Sequence, residues 1–129
     1  MPAAASSSLP NLLARIPLAP AGTKLHDLLL DRTAGHLYVT DTAGQLHVLD
    51  TETYDELATL PAAGALTHDA EHQRLYVSPQ HDEGDVTVVD TAALDVVGTV
   101  SPGGFLSIDP ARNRFYVGNP VYGPMPEEP

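Results

Sequence analysis

The sequence contains no cysteine, few basic residues and no long hydrophobic run. Without cysteine the chain cannot form disulfides or thiolate metal sites. Six lysines and arginines stand against seventeen acids, and the formal net charge is −11. A nucleic-acid partner is therefore disfavoured, because phosphate binding needs local positive charge. No stretch approaches the ~18 apolar residues of a membrane span, so the sequence predicts a soluble protein without a membrane partner.

The two ends of the sequence lack the features of strands and of targeting signals. Residues 1–11 have neither the basic start nor the apolar run of a secretory signal, and we expect a flexible N-terminal tail. The chain is then cytoplasmic if this N-terminus is native, and nothing else in it indicates a compartment. Residues 120–129 contain four prolines and are predicted to form a proline-rich C-terminal tail, because proline cannot continue a central strand.

Motifs of enzymatic chemistry are also missing. The sequence has no Gly-x-Ser-x-Gly elbow, no glycine-rich phosphate loop and no His-Glu-x-x-His zinc motif. We therefore predict no catalytic residue, no metal site and no cofactor. This absence favours a non-enzymatic role.

An internal repeat is the main positive feature. Three tyrosines are separated by 38 and then 40 residues, and each follows an aspartate by seven positions. The pairs are Asp31 and Tyr38, Asp69 and Tyr76, and Asp109 and Tyr116. Each unit contains short segments rich in leucine, valine, tyrosine and threonine, with turn candidates at 34–35 and 43–44. No apolar period of 3.6 runs over a helical length.

A four-stranded unit that repeats every ~40 residues is typical of a β-propeller blade. The predicted fold class is therefore all-β, a β-propeller-like arc of four-stranded antiparallel blades that is incomplete in one chain. The first strand of a blade is expected to be the most enclosed, and the fourth to form a solvated rim. The predicted partial propeller spans 12–119, with a rim strand at 12–16, a blade at 26–60, a second blade at 65–100 and a half blade at 105–118.

Particular residues of the repeat resemble a known family. Leu37-Tyr38-Val39-Thr40-Asp41, followed by Leu46-His47-Val48-Leu49-Asp50-Thr51, resembles the YVTN-type β-propeller repeat. Residues 76–78 with 86–91 form a second match, and residues 116–119 a partial third. The resemblance implies a binding scaffold, a surface protein or, as in lactonase-like relatives, an enzyme. Propellers of this type usually close with about seven blades, whereas this chain holds fewer than three.

The leading interpretation is a non-catalytic binding or interaction scaffold. The chain is then a fragment of a longer propeller or a homo-oligomer subunit that completes a ring, and an open arc is the third state considered. The alternative is a lactonase-like hydrolase with a site at the propeller channel. Candidate ligand-binding residues are His26 and Asp27, which begin an inner strand near the channel mouth, and His68, which replaces an aliphatic residue of the sister units. The sequence does not show whether the ligand is a protein or a small molecule.

The remaining histidines and acids receive structural interpretations. His36, His47 and His72 lack an acidic or histidine partner at ligand spacing, and we expect them to be exposed strand or turn residues. The repeated aspartates at strand ends are predicted to accept hydrogen bonds from backbone amides two residues further on. The acidic hairpin at 82–85 is predicted to be a solvated turn rather than a calcium site.

Overall fold

The computed structural model describes residues 16–18, 22–79, 84–101 and 103–118. Within these residues the chain forms three antiparallel β-sheets of four, four and two strands, and no strands close into a barrel. The predicted all-β class with four-stranded antiparallel units is confirmed. None of the described residues belongs to a helix that is long and apolar enough to cross a membrane.

The sheets follow one another along the chain, and each strand pairs with its sequence neighbour. Sheet I contains β1 (Leu25–Asp31), β2 (His36–Asp41), β3 (Leu46–Asp50) and β4 (Glu56–Leu60). Sheet II contains β5 (Ala65–Asp69), β6 (Arg74–Ser78), β7 (Val86–Asp90) and β8 (Asp95–Val100). Sheet III contains β9 (Phe105–Asp109) and β10 (Arg114–Gly118), joined through a 3-10 turn at Pro110–Arg112.

Several predicted segments fall outside this description. The tails at 1–11 and 120–129, and the first half of the acidic hairpin at 82–85, lie outside the described residues. Of the rim strand predicted at 12–16, only Ile16 is described, and it is not in a strand.

Aspartates hold the turns that connect β3 to β4 and β7 to β8. Asp50 Oδ1 accepts hydrogen bonds from the amides of Glu52 at 2.8 Å and Thr53 at 3.0 Å. Asp90 Oδ1 accepts the equivalent pair of bonds at the same two distances. The predicted bond to the amide two residues on is confirmed at both positions, because the turn presents consecutive amides to one carboxylate oxygen.

The aspartates that end the inner strands behave differently from the prediction. Asp31 and Asp69 each accept an amide three residues further on, at 3.2 Å, so the predicted spacing of two is wrong there. Asp109 makes no side-chain bond to a backbone amide and instead contacts Arg112 Nη1 at 3.3 Å. The tight 3-10 turn that follows Asp109 begins with Pro110, which has no amide hydrogen to donate.

The main core lies between sheets I and II. In sheets II and III, the face toward the preceding sheet is called the front face. In sheets I and II, the face toward the following sheet is called the back face, and in every sheet the front and back faces are opposite each other. Strand register places Leu29, Tyr38, Leu46 and Val48 together on the back face of sheet I. Leu66, Leu75, Val77 and Val89 lie on the front face of sheet II and complete the same buried cluster.

A second contact of the same kind joins sheets II and III. The rings of Tyr76, on the back face of sheet II, and Phe115, on the front face of sheet III, lie 5.2 Å apart. Each of the two junctions also contains an equivalent hydrogen bond. Thr40 Oγ1 donates to the carbonyl of Gly64 at 2.7 Å, and Ser78 Oγ donates to the carbonyl of Gly104. Each bond ties the second strand of one sheet to the residue that precedes the next sheet.

The first strand of sheet I is not the enclosed strand that the sequence predicted. Leu28 and Leu30 on its front face are 61% and 52% exposed, whereas β2 and β3 contain most of the buried residues of that sheet. The equivalent strand β5 is better covered, because sheet I packs on its front face. Within the described residues, no sheet packs in this way against β1. The exposed character of β4 and β8 agrees with the rim expected for the fourth strand.

Candidate functional site

His26 and Asp27 lie at the start of β1, as the sequence predicted. His26 is exposed and sits at a β-bulge, where the pairing of β1 with β2 shifts register. The carboxylate of Asp27 accepts amides from Leu28 and from Leu66 of β5, both at 2.8 Å. Asp27 therefore joins sheet I to sheet II through a side-chain-to-backbone bond. Its ligand-binding role, like that of His26, stays a prediction.

His68 lies on the front face of sheet II and faces sheet I. Its Nε2 atom is 3.5 Å from Asp31 Oδ2, and its ring centroid is 6.4 Å from that of Tyr38. Because β1 rises about 3.3 Å per residue, Asp31 lies roughly 13 Å along the strand from Asp27. His68 lines a different cavity from His26 and Asp27, so the three predicted residues do not form one cluster.

The Asp31–His68 pair lines a pocket between sheets I and II. The pocket has a volume of about 400 Å³ and lies where β1 and β5 end. Its polar lining residues are Asp31, Thr33, His36, His68, Gln73 and Thr91. We call it the inter-sheet pocket.

Asp31 gives this pocket a buried carboxylate. Its side chain is only 8% exposed, and Oδ1 accepts the amide of Ala34 at 3.2 Å. Burial, with the charge of Asp31 nearby, raises the pKa of Tyr38 to about 12. The hydroxyl of Tyr38 lies 3.3 Å from His36 Nδ1. The wall of the pocket thus combines polar side chains with alanines, and Asp31 is its acidic member among the described residues.

Sequence reasoning missed a histidine cluster in which two carboxylates contact one ring. His47 is buried, with Nε2 2.8 Å from Asp41 Oδ2 and Nδ1 2.7 Å from Glu56 Oε2. Glu56 Oε2 also accepts a bond from the hydroxyl of Thr59. The prediction that His47 is exposed and unpartnered is wrong, because strand pairing brings β2, β3 and β4 side by side at this point.

His36 and His72, the other two histidines that the sequence predicted to be exposed, also have partners. His72 Nδ1 lies 2.7 Å from Asp69 Oδ2, and His36 contacts the hydroxyl of Tyr38. Both side chains are half-buried, so the expectation of exposure is wrong for them, although His36 does lie in a strand and His72 in a turn. The prediction that no acidic partner is present is wrong for His72 only. A three-residue spacing between Asp69 and His72 across a tight turn is the signal that could have indicated their contact.

The His47 cluster has a defined charge state. Both ring nitrogens face carboxylate oxygens, an arrangement that favours the imidazolium form, in which both nitrogens donate. Burial lowers the pKa of His47, but the hydrogen bonds and charges of Asp41 and Glu56 outweigh it and raise the pKa above its usual value. Burial likewise raises the pKa of Asp41, but bonds from His47, Gln45 and Ala43 bring it below normal. Bonds from Thr59 and His47 lower the pKa of Glu56.

The front face of sheet I and the back face of sheet III, which we call the outer faces of the arc, carry exposed apolar side chains. At one end are Leu28 and Leu30 on the front face of sheet I. At the other end, Phe105 and Tyr116 on the back face of sheet III are 55% and 57% exposed. Isolated exposed hydrophobic residues are common, but a group on one sheet face indicates a contact surface.

The arrangement offers little for metal chemistry. In the part of the chain that the structure describes, no group of three or more histidine, aspartate or glutamate side chains is placed to hold a metal ion. No protein-family model matches the sequence, and no curated protein matches it either.

Proposed function

We propose that this chain is a non-catalytic, YVTN-type β-propeller repeat protein that acts as an interaction scaffold. Its first partner is a second copy, which packs head to tail on the outer faces of the arc. The sequence pattern at 37–51 and 76–91 supports the repeat type, and the stacked four-stranded meanders support the blade architecture.

The equivalence of the outer faces to the internal junctions carries this proposal. Tyr38 and Tyr76 occupy the same repeat position on the back faces of sheets I and II, and each contacts the sheet that follows. Tyr116 occupies that position in sheet III and is exposed. Leu30 corresponds to His68, which receives the tyrosine of the preceding sheet. The same chain thus exposes both halves of one contact. We call the back face of sheet III, with Phe105 and Tyr116, the donor face, and the front face of sheet I, with Leu28 and Leu30, the receiving face.

Such a contact is heterologous, because the two partners use different surfaces. In an open pair, one copy therefore keeps a free receiving face and the other keeps a free donor face, unless the ring closes. Two copies would bury Leu28 and Leu30 of one molecule under Phe105 and Tyr116 of the other. The hydrophobic effect would drive the association, and the side chains already stand outside their own sheets.

Complementary variants test this arrangement by sedimentation velocity. Leu28→Glu blocks the receiving face and Tyr116→Glu blocks the donor face, so each variant alone should be monomeric. A mixture should form a 1:1 heterodimer, because each partner retains one intact face. An isologous contact would not be restored by mixing.

Val97→Glu is the matched control. Val97 is as exposed as Tyr116 but lies on β8, away from both outer faces of the arc. This variant should associate like the unmodified chain. A monomeric unmodified chain at all accessible concentrations, or a mixture that stays monomeric, would contradict the proposal.

A further inference from the structure

We propose that the inter-sheet pocket binds a small organic cation with a guanidinium or ammonium group, and that Asp31 is its anionic partner. The pocket lies inside one chain, between sheets I and II, whereas the scaffold proposal concerns the outer faces of the arc. The two proposals can therefore be tested independently of each other.

The carboxylate of Asp31 is buried but incompletely bonded. Oδ1 accepts the Ala34 amide, while the nearest basic atom to Oδ2 is His68 Nε2 at 3.5 Å. That distance is beyond a good nitrogen-to-oxygen hydrogen bond. Buried carboxylate oxygens normally have partners, because an unpaired buried charge is unfavourable. Oδ2 thus has only a long ion-pair contact with His68, and it can accept a shorter hydrogen bond from a donor in the pocket.

Asp69 shows how the same position looks when it is satisfied. It ends β5 as Asp31 ends β1, and its Oδ1 accepts an amide three residues on in the same way. Its Oδ2, however, is 2.7 Å from His72 Nδ1. The residue three positions after Asp31 is Ala34, whose side chain has no donor for Oδ2. The repeat therefore leaves one of two equivalent carboxylates available.

The remaining lining favours a cation over an anion. Among the described residues, no lysine or arginine lines the pocket, and Asp31 is the only acid that does. Thr33, Thr91 and Gln73 add side-chain oxygens that accept hydrogen bonds. Arg32 follows Asp31 in sequence but lines a different groove, near Asp50. The net charge of −11 also attracts cations to the surface.

The size of the pocket restricts the ligand to a small molecule or a single side chain. A volume of about 400 Å³ lies in the lower part of the range for small-molecule sites. Guanidinium has the planar, forked donors that match a carboxylate, and an ammonium group supplies three donors. Either could fill the space between Asp31 Oδ2 and the threonine and glutamine oxygens.

Titration with methylguanidinium chloride, followed by NMR of the His36 and His68 ring resonances at fixed ionic strength, tests the proposal. The unmodified chain should show a saturable shift, and methylurea, which is similar in shape but uncharged, should not. Asp31→Asn keeps an oxygen for the Ala34 amide and should weaken binding by at least about tenfold. Asp69→Asn changes the net charge equally and should bind like the unmodified chain.

A peptide with one internal arginine separates two sources of the cation. If it displaces methylguanidinium, the natural ligand is a side chain of a partner protein; if it does not, the ligand is a free small molecule. The absence of a saturable methylguanidinium shift, equal binding of methylurea, or an equal loss in Asp69→Asn would overturn the proposal. Binding should survive in Tyr116→Glu, so a failure of the scaffold contact leaves this result interpretable.

Discussion

At the residue scale, His47 shows how a charge can be held inside a small sheet. The imidazolium lies between Asp41 Oδ2 and Glu56 Oε2, and Asp41 Oδ1 meanwhile accepts the amides of Ala43 and Gln45. The same aspartate therefore closes the β2–β3 turn and fixes the histidine of β3. Glu56 extends the connection to β4. Three strands are thus linked by side chains as well as by their backbone ladders.

This cluster makes stability depend on pH with a definite sign. Because the folded pKa of His47 is raised, its contribution is complete below the unfolded value of 6.5 and is lost as pH rises through the folded value. The pKa values of Asp41 and Glu56 are lowered, so their contributions are present above 3.8 and 4.5 and are lost as pH falls through the folded values. The cluster should stabilise most between pH 4.5 and 6.5.

We predict that His47→Gln loses about 2–3 kcal/mol of unfolding free energy at pH 6, because removing one member leaves buried carboxylate charge unpaired. Urea unfolding followed by circular dichroism from pH 5 to 9 measures this loss. The variant should also have a weaker dependence on pH above 6.5 than the unmodified chain. His72→Gln is the control: its ring is more exposed and has one carboxylate partner, so a loss under about 1 kcal/mol is expected. Equal losses in both variants would contradict the assignment.

Sequence reasoning succeeded for the aspartates of the β3–β4 and β7–β8 turns, whose partners are local. The bonds of Asp50 and Asp90 lie within their own turns, so a pattern of a few residues is sufficient to predict them. The partner of His47 on β4 depends on strand register, and a bulge between Val48 and Leu49 shifts that register by one residue. A bulge of this kind has no reliable signal in one sequence, and the cluster was missed for that reason.

At the scale of elements, the junction between consecutive sheets is a close backbone contact. Gly64 precedes β5 with φ +131°, a conformation that L side chains rarely adopt. A Cβ atom at this position would lie 2.2 Å from the carbonyl oxygen of Ser78. The carbonyl of Gly64 itself accepts the hydroxyl of Thr40. Gly64 therefore takes part in the contact between sheets I and II, and it also adopts the backbone conformation needed at the start of β5.

We predict that Gly64→Ala destabilises the chain by about 3 kcal/mol or more, because positive-φ strain is combined with a backbone clash. Gly44 offers a matched control, since its φ is +92° and nothing lies within 4 Å of its Cβ position. Gly44→Ala should lose about 1 kcal/mol from strain alone. Urea midpoints of the two variants give the comparison. A Gly64→Ala variant as stable as Gly44→Ala would show that the junction is not tightly packed.

The repeat predicted the elements better than it predicted their exposure. Spacing and composition indicate four strands per unit, and both complete sheets have them. Whether a strand is buried depends on what packs on its face, and β1 and β5 differ for that reason despite equivalent positions in the repeat. Periodicity within one unit contains no information about its neighbours.

At the scale of the whole molecule, few ion pairs offset the excess of acidic side chains. The net charge is −11, yet the described residues form only five ion pairs. Four of them use histidine as the base, and only the Arg112–Asp109 pair has a permanently charged one. Few fixed positive charges offset the repulsion among the acids, and this repulsion disfavours the compact state.

We predict that salt stabilises the molecule at pH 8. Screening weakens exposed repulsions over distances of about 8–10 Å, so raising sodium chloride from about 0.02 M to about 0.5 M should increase the unfolding free energy by about 1 kcal/mol. Urea unfolding of Tyr116→Glu, which should be free of self-association, measures the effect. Near pH 4.6, the isoelectric point of the sequence, the increase should disappear because the net charge does. A loss of stability with salt at pH 8 would instead mean that attractive pairs dominate the surface, contrary to the small number of permanently charged pairs.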